Sequence, residues 1–411
     1  TRKLRRGITN IFYELYKQVL RKSLTETEHS RNITMFLTFG LLDAGLAGEE
    51  NLRALRDLVA KLPLCDADNV YTLPKWLRSI YDGQNEPSKN EFDMDYEAFL
   101  RDEKKSGRMT EQEVDERKYD QWAKVEFEID NMVKSNSRTT YGRVLTFCPV
   151  LLEGDLVQKP ESVFVTAEKL SNAIREVEET DYSIFFHDSL FSDPEHGINS
   201  ETVKELIYPN IILMPNVGVK AMMWQEAAGI RSNTPARFAF PIFLMSDLGD
   251  QMLLTAARYR WEFCRKVQGV RWNDVTEKSL TAQYCDYLQF YKKNRELNAD
   301  AKEKLSQELF RVKNNYREVF VKDYINWMKY ESKGSFRLNK ITRDILIENC
   351  PLNKEATASL SQNPVFGKKL ERMINMKQKD RKRLQTVYDR YVEAGGVNTE
   401  PLERTLAFYD L

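Results

Sequence analysis

The imidazole and carboxylate side chains of this chain are densest in one short segment, residues 186–196. The side chains there that could bind a divalent metal ion are His187, Asp188, Asp193 and His196. A metal held by such ligands could activate a water molecule for hydrolysis. The spacing matches neither the H-E-x-x-H helix nor a zinc ribbon, and the Pro and Gly in the segment are also ordinary turn composition. The segment therefore predicts either a metal-dependent hydrolase site or a polar loop after a strand.

A second group of candidate residues follows an apolar run, Ile211-Ile212-Leu213-Met214, which stops at Pro215. The group consists of Asn216, Lys220, Arg231 and Arg237. In open α/β sheets ligands bind beyond the carboxyl ends of strands, and guanidinium groups with backbone amides suit phosphate or carboxylate. The pattern predicts a pocket for a small anion or nucleotide over residues 215–237. The alternative is that Asn216 and Gly218 only turn the chain while the cations pair with surface acids.

Other familiar chemistry leaves no signature. The chain contains no G-x-x-x-x-G-K-[ST] or G-x-G-x-x-G, and no G-x-S-x-G nucleophile elbow, so no reaction and no cofactor is assigned. The basic run at residues 377–383 falls on a predicted helix and could touch nucleic acid, although one charged helix face is usually only solvated. Whether the protein is an enzyme is therefore left open.

Composition bounds the class of protein. A chain of 411 residues predicts two or three domains. Lys plus Arg and Asp plus Glu both number 62, so the whole chain has no general attraction to nucleic acid or to an anionic membrane. The five cysteines are dispersed, without a C-x-x-C pair, which indicates a reducing compartment and a cytoplasmic location. No apolar run approaches the roughly 20 residues needed to span a bilayer. A start at Thr1 rather than Met is typical of a processed or truncated chain.

The candidate site residues must be positioned by the surrounding secondary structure. The pattern in the middle of the chain predicts β-strands. Five short β-branched or aromatic runs bounded by turn residues predict strands at Val144–Leu152, Val163–Thr166, Tyr182–Phe186, Ile211–Met214 and Phe238–Met245. Thr166 is placed to cap a helix over Ala167–Val177, which would cross between two strands. A mixed or parallel sheet follows.

Helical periodicity surrounds this region. Near the amino terminus one stripe is predicted, formed by Ile8, Ile11, Phe12, Leu15 and Val19. Asp247 predicts the start of a helix that runs to about Val267 and is ended by Gly269. Asn298 predicts the start of one long helix that continues to about Tyr330.

The sequence thus predicts a strongly α-rich α+β protein: a helical region over 1–138, a small mixed α/β region over 139–248, and a helical bundle over 249–411. The first functional hypothesis is a cytoplasmic regulatory or scaffolding protein that binds a protein partner through helical faces, because helices dominate and catalytic signatures are missing. The alternative is a small-anion or nucleotide-binding domain, enzymatic or not, at residues 215–237. Membrane binding and nucleic-acid binding are not expected.

Overall fold

A computed structural model of the protein describes residues 2–25, 31–41, 48–61, 69–90, 92–134, 159–225 and 234–411. The chain divides into two compact units. Unit 1 comprises Thr1–Ser171, Asn210–Gln225 and Arg237–Gln251. Unit 2 comprises Asn172–Pro209, Glu226–Ala236 and Met252–Leu411.

The described residues form seventeen helices and six strands, which confirms an α-rich α+β fold. The first elements are α1 Arg2–Thr25, α2 Arg31–Phe39, α3 Glu49–Lys61, β1 Val70–Thr72, α4 Leu73–Tyr81, α5 Tyr96–Lys105, α6 Glu111–Tyr119, α7 Gln121–Lys134, α8 Pro160–Val163 and α9 Ala167–Glu178. The central elements are β2 Phe186–Asp193, β3 Ile198–Leu206, β4 Asn210–Gly218, β5 Met222–Gln225, β6 Arg237–Leu244 and α10 Leu248–Gln268. The last elements are α11 Leu280–Phe290, α12 Ala299–Arg311, α13 Tyr316–Lys329, α14 Lys340–Asn349, α15 Lys354–Ser361, α16 Gly367–Glu393 and α17 Glu400–Asp410.

Unit 1 contains a four-stranded mixed sheet in the order β1-β4-β6-β5. The pairs β1–β4 and β4–β6 are parallel, whereas β5 runs antiparallel to β6. All eight residues of β6 are buried, as a central strand covered on both faces requires. The predicted mixed sheet is therefore confirmed, and β4 and β6 contain the two apolar runs that predicted it.

The core of unit 1 joins this sheet to helices α1, α2, α4 and α7. Helix α1 buries Phe12, Tyr16 and Leu20, but it exposes Ile11 and Leu15. The predicted stripe therefore includes Phe12, which is buried, but also two residues that are exposed. The buried face of α1 is instead determined by the rings of Phe12 and Tyr16, which contact Phe36 of α2. The hydroxyl of Tyr16 also donates to the carbonyl of Leu37 at 2.9 Å, which fixes α1 against α2.

Unit 2 consists of an antiparallel hairpin, β2–β3, and a set of helices. Side chains of the hairpin and of helices α16 and α17 form one small core around Ile198, Leu384 and Leu402. Four of its helices, α11, α12, α14 and α15, begin at a residue whose side chain accepts a hydrogen bond from a backbone amide of the first turn. The Oδ1 atom of Asn298 accepts from the amide of Ala301 at 2.8 Å, as the sequence predicted for the start of α12.

The predicted single helix from Asn298 to about Tyr330 is wrong. The chain leaves the helix after Arg311 and α13 begins at Tyr316. Between them Lys313 and Asn314 have φ angles of 54° and 58°, the left-handed region, which no α-helix can include. Two helices therefore replace one long helix.

The other predicted elements divide into three groups. Helices α9 and α10 are confirmed, with the hydroxyl of Thr166 accepting from the amide of Lys169 at 3.2 Å and Asp247 accepting from Asp250 at 2.7 Å. The run at Val163–Thr166 forms only an isolated bridge, Phe164 to Phe243, and residues 182–185 are turns that precede β2. The predicted strand at 144–152 lies outside the described residues.

The predicted division into three consecutive regions differs from the two compact units. Strands β4, β5 and β6 pack with the amino-terminal helices, whereas β2 and β3 belong with the carboxyl-terminal ones. Each strand belongs to the unit whose helices bury it. The order of the strands along the sequence therefore does not determine to which unit they belong. Among the described residues no helix is both long enough and apolar enough to cross a membrane.

Candidate functional site

The predicted anion pocket involves both edges of the unit 1 sheet. Because β4 and β6 are parallel, their carboxyl ends share one edge, and Asn216 lies near it with Lys220 just beyond. Arg237 is the first residue of β6 and pairs with Asn210, the first residue of β4. Six residues of strand, roughly 20 Å, therefore separate Arg237 from Asn216 along the sheet. The structure does not bring Arg237 together with the residues at the carboxyl edge.

At the carboxyl edge, Asn216 is buried and Lys220 is exposed. The Oδ1 atom of Asn216 has no hydrogen-bond partner among the described residues. A Cβ on Gly40 would lie 2.3 Å from the carbonyl oxygen of Pro215, so only glycine allows this close approach. Arg231 lies outside the described residues. Anion binding by Lys220 and Arg231 remains a prediction.

Arg237 is inside unit 1, with 4% of its surface exposed. Its Nη1 donates to the hydroxyl of Ser88 at 2.6 Å and its Nη2 donates to the carbonyl of Glu86 at 2.7 Å. The guanidinium lies 4.8 Å from the centre of the Trp76 ring, a cation–π contact. Burial lowers the pKa of Arg237, while the nearby carboxylates of Glu128 and Glu86 oppose that shift. These contacts make the arginine part of the interior of the unit.

The predicted metal ligands lie on the hairpin of unit 2. His187 and Asp188 are consecutive on β2, so their side chains point to opposite faces, one buried and one exposed. The Nε2 atom of His187 lies 2.7 Å from the hydroxyl of Tyr259, and its ring stacks on Phe263 at 4.4 Å. Burial lowers the pKa of His187 to about 4. Asp188 instead forms an ion pair with Lys204.

The other two predicted ligands meet at the end of the hairpin. The Nδ1 atom of His196 lies 3.0 Å from both carboxylate oxygens of Asp193, and the hydroxyl of Tyr391 donates to Asp193 at 2.8 Å. These two contacts lower the pKa of Asp193. Within the described residues, no group of three or more His, Cys, Asp or Glu side chains is arranged to hold a metal ion. The structure thus joins Asp193 with His196 and leaves His187 and Asp188 apart from them.

A cavity that the sequence analysis missed lies among α15, α16 and α17 of unit 2. Its volume is about 390 Å³, within the range of small-molecule sites. Its apolar wall includes Tyr182, Leu352, Ala358, Met373 and Ile374. The cavity is therefore large enough and apolar enough to bury a small organic molecule.

Charged groups converge on this cavity from three helices. Its cations are Lys354 on α15 and Lys377 and Arg381 on α16. Arg381 is neutralised by Asp410 through two hydrogen bonds of 2.6 and 2.9 Å. Neither lysine has a carboxylate oxygen within ion-pair distance among the described residues.

A sequence signal for this cavity exists in α16. Leu370, Leu384 and Tyr391 are its fully buried side chains, and they differ in number by multiples of seven. Lys377 occupies the remaining position of that series. A lysine at an otherwise apolar heptad position marks a place where the packing is interrupted.

Comparison with known proteins gives one match. A family described as a domain of unknown function, DUF8509, is similar to residues 269–409, less than half of the chain. The matched residues include helices α11 to α16 and most of the cavity wall. No curated protein and no solved structure matches the chain.

Proposed function

We propose that this protein is a regulatory or scaffolding protein that binds the acidic helix of a partner protein on one exposed face of α16. The observation that carries the proposal is a line of four exposed cations, Lys368, Arg372, Lys379 and Lys382, here called the basic stripe. No carboxylate in the described part of the chain forms an ion pair with any of the four. The stripe therefore offers charge that the protein itself leaves unneutralised.

The geometry of the stripe follows from the helix. At about 100° per residue the four side chains fall within an arc of roughly 80°, on the side opposite the buried positions Leu370 and Leu384. From Lys368 to Lys382 the helix rises about 21 Å, some four turns. A straight, narrow line of charge with this length matches the carboxylates along one face of a second helix.

Two features favour a protein partner over nucleic acid. The aromatic residues of α16, Tyr388 and Tyr391, are absent from the stripe, so it offers no ring on which bases could stack. Met376 lies beside the stripe and is 61% exposed, and a flexible apolar side chain of this kind suits an adaptable protein interface.

The same proposal includes a cytoplasmic location. Cys264, Cys285 and Cys350, the cysteines within the described residues, are all free thiols. Unpaired buried thiols are typical of a reducing compartment. We assign no reaction to the protein.

Fluorescence anisotropy with a labelled synthetic helix tests the proposal. The probe is a peptide with glutamates along one face, compared with a scrambled peptide of the same composition. A variant with all four stripe cations changed to Glu should bind the helical probe at least about tenfold more weakly than the wild type, and the loss should shrink at high salt.

The matched control changes four exposed lysines elsewhere in unit 2 to Glu: Lys292, Lys293, Lys304 and Lys313. It alters net charge equally, so the probe should bind it far better than it binds the stripe variant. Equal affinities for the two variants would refute the proposal. Tighter binding of duplex DNA, or of phosphatidylserine vesicles, than of the acidic helix would refute it as well.

A further inference from the structure

The geometry points to a second site on the opposite side of α16: the cavity among α15, α16 and α17 binds a small organic anion with an apolar body, and Lys377 with Lys354 holds its charged group. Nothing in this inference depends on the basic stripe. It rests on the shape of the cavity, on its two lysines without carboxylate partners, and on the position of Lys377 in the helix.

Lys377 lies where the fold would favour an apolar side chain. The helix buries Leu370 seven residues before it and Leu384 seven residues after it, each with 1% of its surface exposed. A leucine at position 377 would continue that series and fill part of the cavity. The lysine instead leaves space and brings an ammonium group into it. A residue that weakens packing at one place in this way is typical of a functional position.

The surroundings of the ammonium group do not neutralise it. Its Nζ lies 4.6 Å from the centre of the Tyr182 ring, a contact that orients the cation without supplying negative charge. Asp410 is within electrostatic range of both lysines, but it is hydrogen-bonded to Arg381. Burial lowers the pKa of Lys377, Asp410 opposes the shift and Lys354 reinforces it. A bound anion between the two lysines would relieve both the desolvation and the repulsion.

The rest of the cavity defines the ligand class. Its wall is mainly apolar and includes Met373, Ile374 and Tyr182. An inorganic anion would leave this surface empty, whereas a neutral apolar molecule would leave the half-buried ammonium group of Lys377 unpaired. A carboxylate or phosphate ester attached to an aliphatic or aromatic group satisfies both parts.

Calorimetric titration of the full chain tests the inference with octanoate, octyl phosphate, octan-1-ol and inorganic phosphate. We expect an amphiphilic anion to bind, and the comparison of octanoate with octyl phosphate identifies the preferred headgroup. Octan-1-ol should bind at least about tenfold more weakly than the preferred anion, since it lacks the charge. The absence of binding by both amphiphilic anions, or equal affinity for octan-1-ol, would overturn the inference.

Two substitutions on α16 distinguish a loss of ligand binding from a loss of folding. Lys377→Leu should weaken binding of the preferred anion at least about tenfold while it raises the melting temperature by a few degrees, because the leucine completes the apolar series. A rise in melting temperature excludes misfolding as the cause of the lost binding. Arg390→Leu, at an exposed position of the same helix that belongs neither to the cavity nor to the basic stripe, should leave the affinity unchanged. If Lys377→Leu binds as tightly as the wild type, the assignment of Lys377 fails.

The pH dependence provides a readout that a purely structural lysine would not change. Affinity should fall as the pH rises through the lowered pKa of Lys377, because the neutral amine no longer attracts the anion. Lys377→Arg should bind with little of this dependence, since guanidinium stays charged throughout the range. An identical pH profile for the wild type and Lys377→Arg would contradict the role of the ammonium group.

Discussion

The hydroxyl of Ser88 accepts a hydrogen bond from Arg237 at 2.6 Å, although the two residues are 149 positions apart in the sequence. The same oxygen accepts from the indole of Trp224 at 2.8 Å and donates to the carboxylate of Glu128 at 2.8 Å. A serine hydroxyl has one proton and two lone pairs, so all its hydrogen-bonding capacity is used. The guanidinium of Arg237 is therefore held inside unit 1 by a hydrogen bond to Ser88, a residue with no surface exposure.

Ser88→Ala should destabilise unit 1. The change leaves the Arg237 and Trp224 donors without their acceptor in a buried site, and such losses cost about 3 kcal/mol together. Urea unfolding followed by tryptophan fluorescence measures the free energy of unfolding. Ser171→Ala, an exposed serine on α9, is the matched control and should change it by less than about 0.5 kcal/mol. Equal effects of the two substitutions would show that the Ser88 network contributes no stability.

His187 should make the stability of unit 2 depend on pH. Burial lowers its pKa from 6.5 to about 4. Between about pH 4 and 6.5 this imidazole is protonated in the unfolded chain and neutral in the folded chain. The free energy of unfolding therefore keeps the full contribution of His187 above about pH 6.5 and decreases as the pH falls towards 4. The total loss from this residue is roughly 3 kcal/mol.

The comparison of wild type with His187→Gln isolates that contribution, because the other titrating groups are common to both proteins. Urea unfolding at pH 7.5 and at pH 5 gives the free energies. The variant should lose less stability than the wild type over this interval. Parallel losses in the two proteins would mean that His187 titrates normally in the folded state.

Gly396→Ala should destabilise unit 2 by about 2 kcal/mol through overpacking. A Cβ at this position would lie 2.3 Å from the ring of Tyr391, which is 1% exposed and cannot move aside. Displacing that ring would also disturb its hydrogen bond to Asp193. Thermal unfolding by circular dichroism measures the effect. Gly7→Ala is the control, since its Cβ would meet nothing within 4 Å and it lies in helix α1, so it should stabilise the protein by about 0.5–1 kcal/mol.

Lys313→Gly should stabilise unit 2 by about 1 kcal/mol, because glycine adopts the left-handed conformation of this residue without the steric cost that lysine has. Lys304→Gly, in the interior of α12, should destabilise it by a similar amount. Chemical unfolding of both variants supplies the test. Destabilisation by Lys313→Gly would indicate that the chain continues as a helix through residues 312–315.

Local patterns were sufficient for several elements. These elements depend on residues within a few positions of one another, and each appears where the sequence predicts it. They are the apolar runs of β4 and β6 and the helix caps at Thr166, Asp247 and Asn298. The break at Lys313 and Asn314 was not predictable in this way, since neither residue type by itself requires a left-handed backbone.

The candidate sites depended on longer distances. Arg237 is the first residue of β6, and its neighbours in the sequence do not indicate that its guanidinium contacts Ser88 and Trp76. His187 is separated from Tyr259 by 72 positions, and burial by such distant partners is what changes the chemistry of the imidazole.

By itself, the sequence determined the fold class, the start of several helices and the two central parallel strands, because propensity, capping and apolar periodicity act between near neighbours. The tertiary structure alone decided which cations are inside, which edge of the sheet each candidate residue occupies, and that Lys377 faces a cavity. Burial and electrostatic environment are sums over residues far apart in the chain, so local pattern cannot fix them.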